Sequence, residues 1–144
     1  MIRKTTLKAG TVVFHGTDND DFDEVEDGLD GPAWVTSSRS VAEWFVNNRA
    51  GWGGQKRIIS YLLAEDIELY EINGPGDMQD LAEQFGLELN GTDEIRDSVE
   101  RAGLPGWIIP KNYPDGDDIL IADTGVLDYQ ASEPLQAPSP SDRR

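Results

Sequence analysis

A chain of 144 residues with 38% apolar side chains has the size of one domain with a real core. It has no cysteine, which excludes a disulfide framework, a thiolate metal site and a cysteine nucleophile. With 28 Asp and Glu against 12 Lys and Arg, the net charge of −16 argues against direct contact with nucleic-acid phosphate or an anionic membrane.

The first six residues hold two positive charges but no apolar stretch behind them, so they do not read as a secretory signal. No run approaches the roughly 20 apolar residues of a membrane span. A cytoplasmic protein is expected, in the host cytoplasm if the chain is viral. Thr11 to Phe14 reads as a strand, and Ala33 to Thr36 as another. Ser37 or Ser38 can cap a helix that carries Val41, Ala42 and Phe45. Gly51, Gly53 and Gly54 mark a mobile loop around Trp52. Arg57 to Leu63 and Ile67 to Ile72 read as strands, and Asn73-Gly-Pro-Gly breaks the chain. Met78, Leu81, Ala82 and Phe85 recur at helical spacing. Thr92 can cap a further helix with Ile95, Val99 and Ala102 on one face, stopped by Gly103. Trp107 to Ile109 and Ile119 to Ala122 read as strands flanking a loop from Pro110 to Asp118, and Val126 to Tyr129 as a last strand. Strands outnumber helices without regular βαβ alternation, so the expected class is α+β. One domain over residues 1–130 is expected, followed by a disordered tail over 131–144, where three prolines and three serines fall in fourteen residues.

Three segments carry chemistry. The first is Phe14-His15-Gly16-Thr17, with the only histidine of the chain. A histidine at a strand end, beside a glycine that lets a ligand approach the backbone, suits recognition of a planar group; a strand ending in a turn explains the same residues. The second is Trp34-Val35-Thr36-Ser37, followed by Val41 to Phe45. Trp34 and Phe45, eleven residues apart across a strand–helix unit, can face each other over a flat ring or simply pack in a core. The third is Tyr113-Pro-Asp115-Gly-Asp117-Asp118-Ile-Leu-Ile-Ala122. A carboxylate where a loop enters a strand can accept a ribose hydroxyl and offset positive charge; a solvated acidic turn is the alternative. Alternation along a strand lets only one of Asp117 and Asp118 face a given side. The acidic run Asp18 to Asp30 fails the EF-hand pattern, because position three falls on Val25. A lone histidine without cysteine argues against structural zinc.

Together these segments resemble the ADP-ribosyltransferase superfamily, on the branch with the diphtheria-toxin-like transferases and poly(ADP-ribose) polymerases, and small phage and bacterial domains of that kind in particular. The first motif of that branch is matched by His15-Gly16-Thr17, with Phe22 as a later aromatic. The second is matched by Trp34-Val35-Thr36 and Ala42-Glu43-Trp44-Phe45, other aromatics replacing both tyrosines. The third, a Glu at the start of a late strand, is matched by Asp118, one methylene shorter. The resemblance spans about Val12 to Tyr129. It implies a split mixed sheet with NAD as co-substrate in the cleft. His15 would bond the adenosine-side ribose, and the Gly16 backbone the nicotinamide carboxamide. Thr17 completes the first motif. Trp34 and Phe45 would sandwich the ring, Thr36 or Ser37 would supply a hydroxyl, and Asp118, or Asp117 one residue away, would be the catalytic acid. Asp115 is a reserve for that role. The implied activity is mono-ADP-ribosylation of a protein acceptor by a phage or bacterial effector. A monomer is expected, with a basic nucleic-acid-binding protein as the partner that the charge would suit. The rival function is a non-catalytic acidic protein that mimics nucleic acid.

Overall fold

The apolar residues at alternate positions along Arg57–Leu63 define a strand with two unlike faces, one fully buried and the other buried at Ile58 and half-buried beyond it. The computed structural model describes residues 2–18, 32–48, 53–113 and 116–135. Their order is β1 (Arg3–Leu7), β2 (Val12–Thr17), β3 (Ala33–Val35), α1 (Arg39–Asn48), β4 (Arg57–Leu63), β5 (Ile67–Glu71), α2 (Pro75–Phe85), α3 (Thr92–Ala102), β6 (Gly106–Tyr113), β7 (Gly116–Ile121), a 3-10 turn (Thr124–Val126) and β8 (Leu127–Pro134). The class is α+β, as expected. The strands form a five-stranded sheet in the order β1-β5-β6-β7-β3 and a three-stranded sheet in the order β2-β4-β8. The larger sheet is mixed, because β5 and β6 run parallel.

One face of β4 places Ile59, Tyr61 and Leu63 in a core with Val13, Val35, Leu69, Ile119 and Ile121. That core lies between the two sheets. Ile58 on the other face packs with Ala42 and Val46 of α1. On the outer side of the larger sheet, Leu81 of α2 and Val99 of α3 close over Trp107 and Leu120. Each such aliphatic side chain contributes about 1.5–3 kcal/mol on burial.

The sheets touch at one backbone bridge. The Phe14 N–H donates to Thr36 O at 2.7 Å, and the Thr36 N–H to Phe14 O at 3.0 Å. On either side of this bridge β2 belongs to one sheet and β3 to the other.

Several elements differ from the sequence expectation. β1 has no apolar alternation to announce it and exists by pairing with β5 from Arg3↔Glu71 to Leu7↔Ile67. The Asn73-Gly-Pro-Gly stretch starts a helix as well as breaking a strand, with Gly74 as N-cap and Pro75 in the first turn, where its missing N–H costs nothing. The residue capping α3 is Gly91 rather than Thr92, with no side-chain cap bond, while Gly103 ends the helix at φ 71° as expected. The stretch Pro110 to Asp118 is mostly hairpin rather than loop, since β6 and β7 pair at Ile109↔Asp118 and Tyr113↔Gly116. Gly53 and Gly54 are tied down: their N–H groups donate to Asp18 Oδ2 at 3.0 Å and Asp18 O at 2.9 Å. β8 runs four residues past residue 130 and pairs Ala131 to Pro134 with Ser60 to Arg57. Phe22, Trp52 and Asp115 lie outside the described residues.

Gly106 opens β6 at φ +125°, and a Cβ there would run into the Leu120 carbonyl of β7. Gly106→Ala is therefore expected to destabilise the fold by about 2–4 kcal/mol in chemical denaturation; an unchanged midpoint would show that this crossing is not tight.

Candidate functional site

Strand parity determines what β2 presents at its open edge. The Leu63 N–H bonds Thr11 O, so the odd-numbered residues of this segment pair with β4. The Phe14 N–H and C=O accordingly point away from β4, to Thr36. Two residues on, the Gly16 N–H and C=O face the same open edge. α1 crosses close by. A Cβ on Gly16 would lie 2.7 Å from Ala42 O and 3.1 Å from Val46 Cβ, so only glycine admits the helix here.

Beyond the bridge the two sheets part and leave a cleft of about 180 Å3. That is below the roughly 300–1,000 Å3 of sites that enclose a drug-sized ligand, and it has room for one flat ring. His15 and Gly16 of β2, Trp34 of β3, Thr36 of the following turn, Phe45 of α1 and Asp118 of β7 all line it. Four other residues of the same segments, to which the sequence assigned no role, also line it: Phe14, Val35, Val41 and Ala42. Of these, Val41 and Ala42 carried a signal, the helical spacing with Phe45.

His15 is half-buried, and its Nδ1–H donates to Trp34 O at 2.8 Å. Only a protonated ring nitrogen approaches a carbonyl this way, so neutral His15 carries its proton on Nδ1 and Nε2 is an acceptor. Burial lowers the imidazole pKa; the bond to Trp34 opposes this, and the positive charges of Arg57 and Arg96 add to the lowering. Arg96 reaches here from α3, its Nε–H donating to Pro32 O at 2.7 Å. Neither arginine was singled out from sequence, because nothing local in the chain links α3 to β2.

Trp34 serves the core and the cleft together. Its ring meets that of Trp107 edge-on, with centroids 5.9 Å apart. Phe45 is 36% exposed, so its ring reaches the mouth. The neighbouring Trp44 is also exposed but is not part of the lining.

The two adjacent aspartates do different things. The Asp117 carboxylate accepts from Thr36 Oγ1 at 2.9 Å, from the Ser37 N–H at 2.8 Å and from Ser37 Oγ at 2.5 Å. It is committed to the turn between β3 and α1 and does not line the cleft. Asp118 does, and it stands inside β7 opposite Ile109 rather than at a loop end. Burial, helped by the charge of Asp117, pushes its carboxyl up to about 6. Thr17 is buried at the β2 end, paired with Arg57, and Ser37 is bound to Asp117; neither is a lining residue. Ser38, not Ser37, caps α1, accepting the Val41 N–H on Oγ at 3.4 Å.

A carboxyl whose folded pKa is raised holds a proton that the unfolded chain has lost, so ionising it costs stability as pH rises through about 6. Asp118→Asn is expected to raise the melting temperature at pH 7.5, with the gain shrinking towards pH 5. A gain that is constant across this range would show that Asp118 titrates normally.

No protein-family model matches the chain, and no curated protein matches it. Among solved structures it is similar to a chain of the M. tuberculosis MbcT–MbcA toxin–antitoxin complex, at 10% identity and a TM-score of 0.54, over 90% of this chain and 86% of that one. At that identity the likeness is one of fold.

Proposed function

We propose that the chain is an NAD-dependent mono-ADP-ribosyltransferase that modifies a protein, an effector of phage or bacterial origin acting on host machinery. The observation that carries this reading is convergence. Three segments spread from His15 to Asp118 line one cleft sized for a single ring.

The residues fit the co-substrate. Gly16 offers a donor and an acceptor side by side at an open strand edge, which matches a carboxamide. Trp34 and Phe45 supply aromatic faces for the nicotinamide ring. His15, neutral and protonated on Nδ1, offers Nε2 to a ribose hydroxyl. When bound, NAD supplies the ADP-ribosyl group and the nicotinamide that leaves. Ionised Asp118 then offsets the positive charge that develops at the ribose carbon, in a site preorganised by the fold. Asp118, though one methylene shorter than the Glu expected there, stands within β7 and itself lines the cleft.

Two further features bear on partners. Residues 58–95 hold ten acidic side chains and no Lys or Arg, which suits a basic protein. The similar chain comes from a toxin–antitoxin complex, which supports a second protein that holds this one in check. The same charge asymmetry favours the rival reading, a non-catalytic acidic protein that occupies a nucleic-acid-binding partner.

Calorimetry with NAD separates the two readings, since the rival predicts no binding. His15→Ala is expected to weaken binding by about 1–3 kcal/mol in a folded protein. Trp34→Ala and Phe45→Ala are expected to do the same, while the Tyr variants keep a stacking face; equal affinity in all of them would remove the slot.

Asp118→Asn is expected to lower transfer of labelled ADP-ribose to a host protein by about 10²–10³-fold. It should leave NAD affinity near wild type. Wild-type activity should also fall as pH drops below about 6, where Asp118 takes up a proton. Full activity of Asp118→Asn would place the acid elsewhere.

A further inference from the structure

Ser37, in the turn that leads into α1, and Asp117, near the start of β7, are eighty residues apart in sequence yet hydrogen-bonded. A Cβ on Gly116 would meet Ser38 Cβ at 2.5 Å and Val41 Cγ2 at 3.1 Å. Beside this contact, one carboxylate takes three donors from two consecutive residues. These bonds are charge-assisted and converge from a backbone N–H and two hydroxyls, so they fix the orientation of the turn as well as its distance. From that turn the chain enters α1, which presents Val41, Ala42 and Phe45 to the cleft. From the carboxylate the chain passes directly to Asp118, which also lines the cleft.

We propose that Asp117 is a positioning residue: by clamping Thr36 and Ser37 to β7 it sets the spacing between Asp118 and the wall of the cleft carried by α1. The inference rests on the reading of this cleft as the NAD site and adds to it what holds the site at working width. The carboxylate also has an electrostatic consequence for its neighbour, since its charge disfavours ionisation of Asp118. His15 of β2 is the other ionisable side chain in the lining; neither β3 nor α1 adds one.

Geometry and charge separate by substitution. In Asp117→Asn the amide oxygen still accepts from the Ser37 N–H and the Thr36 hydroxyl, and the amide nitrogen donates to Ser37 Oγ. The clamp stays and the charge goes. In Asp117→Ala both go. Three measurements are made on the full chain: NAD affinity by tryptophan fluorescence, KM and kcat for transfer, and exchange of the Ser37 amide with the Asp118 carboxyl titration by NMR. Asp117→Ala is expected to weaken NAD binding about tenfold or more in the folded fraction, to raise KM and to deprotect the Ser37 amide. Asp117→Asn is expected to restore affinity to within about threefold of wild type, the order of an ordinary hydrogen-bond difference. It should keep the Ser37 amide protected while Asp118 titrates at lower pH.

Loss of affinity in Asp117→Asn equal to that in Asp117→Ala would overturn the proposal, because the charge rather than the clamp would then matter. So would wild-type affinity and Ser37 protection in folded Asp117→Ala. If the wild type does not bind NAD at all, the reading of the cleft fails. The clamp is then decided by the NMR measurements alone: a protected amide in Asp117→Asn and an exposed one in Asp117→Ala supports it, and no difference overturns it.

Discussion

The cleft exists because two sheets that meet at Phe14 and Thr36 do not go on pairing. After one bridge the carbonyl of Trp34 has no strand partner on that side, and an unpaired carbonyl at a part-buried site is costly. The His15 imidazole meets it instead, reaching from β2 with its Nδ1–H. A side chain thus closes a gap that a backbone ladder would otherwise close, and the sheets are free to diverge. The same bond orients the ring and fixes its tautomer. The orientation and tautomer of the histidine, at the seam where the sheets part, therefore rest on one hydrogen bond.

Charge is distributed unevenly around this seam. The protein as a whole is strongly anionic, yet two guanidinium groups act on the His15 ring. Two neighbouring carboxylates occupy unlike surroundings, one with three donors, the other in a part-buried cleft wall. Adjacent identical residues thus acquire separate properties through strand alternation alone. A raised carboxyl and a lowered imidazole on one wall pair is the pattern in which acid–base or electrostatic roles are found.

Much of this was readable from the chain. Arg57–Leu63 carries Ile59, Tyr61 and Leu63 at alternate positions on one buried face, and its bounds match the observed strand. Met78, Leu81, Ala82 and Phe85 sit on one helix face, and the structure packs that face on the larger sheet. The cleft-lining set was partly readable too, because His15 begins the only His-Gly pair, Trp34 and Phe45 are large aromatics on a strand–helix unit, and Asp118 immediately precedes the apolar run Ile119-Leu120-Ile121. β1 and the end of β8 were not legible. Both are edge strands with mostly exposed side chains, held by backbone pairing, which leaves no hydrophobic period in the sequence. Arg57 and Arg96 were missed for a different reason: their effect on His15 depends on how β4 and α3 are brought to β2. The split between Asp117 and Asp118 needed a register, and register is set across strands.

The end of β8 shows what such an unannounced edge strand does. Ala131 to Pro134 pair with Ser60 to Arg57, and those same four residues of β4 pair on their other side with Phe14 to Thr17. The Pro- and Ser-rich residues that look dispensable thus back the strand that backs the histidine motif. Glu133, among them, grips Arg39 at the start of α1 through two bonds of 3.1 Å. A chain cut at residue 130 would keep every side chain that lines the cleft. It would nevertheless strip Arg57 to Ser60 of their partners on one side and remove the ion pair that ties Arg39, at the start of α1, to β8. Truncation there would loosen the site without touching it.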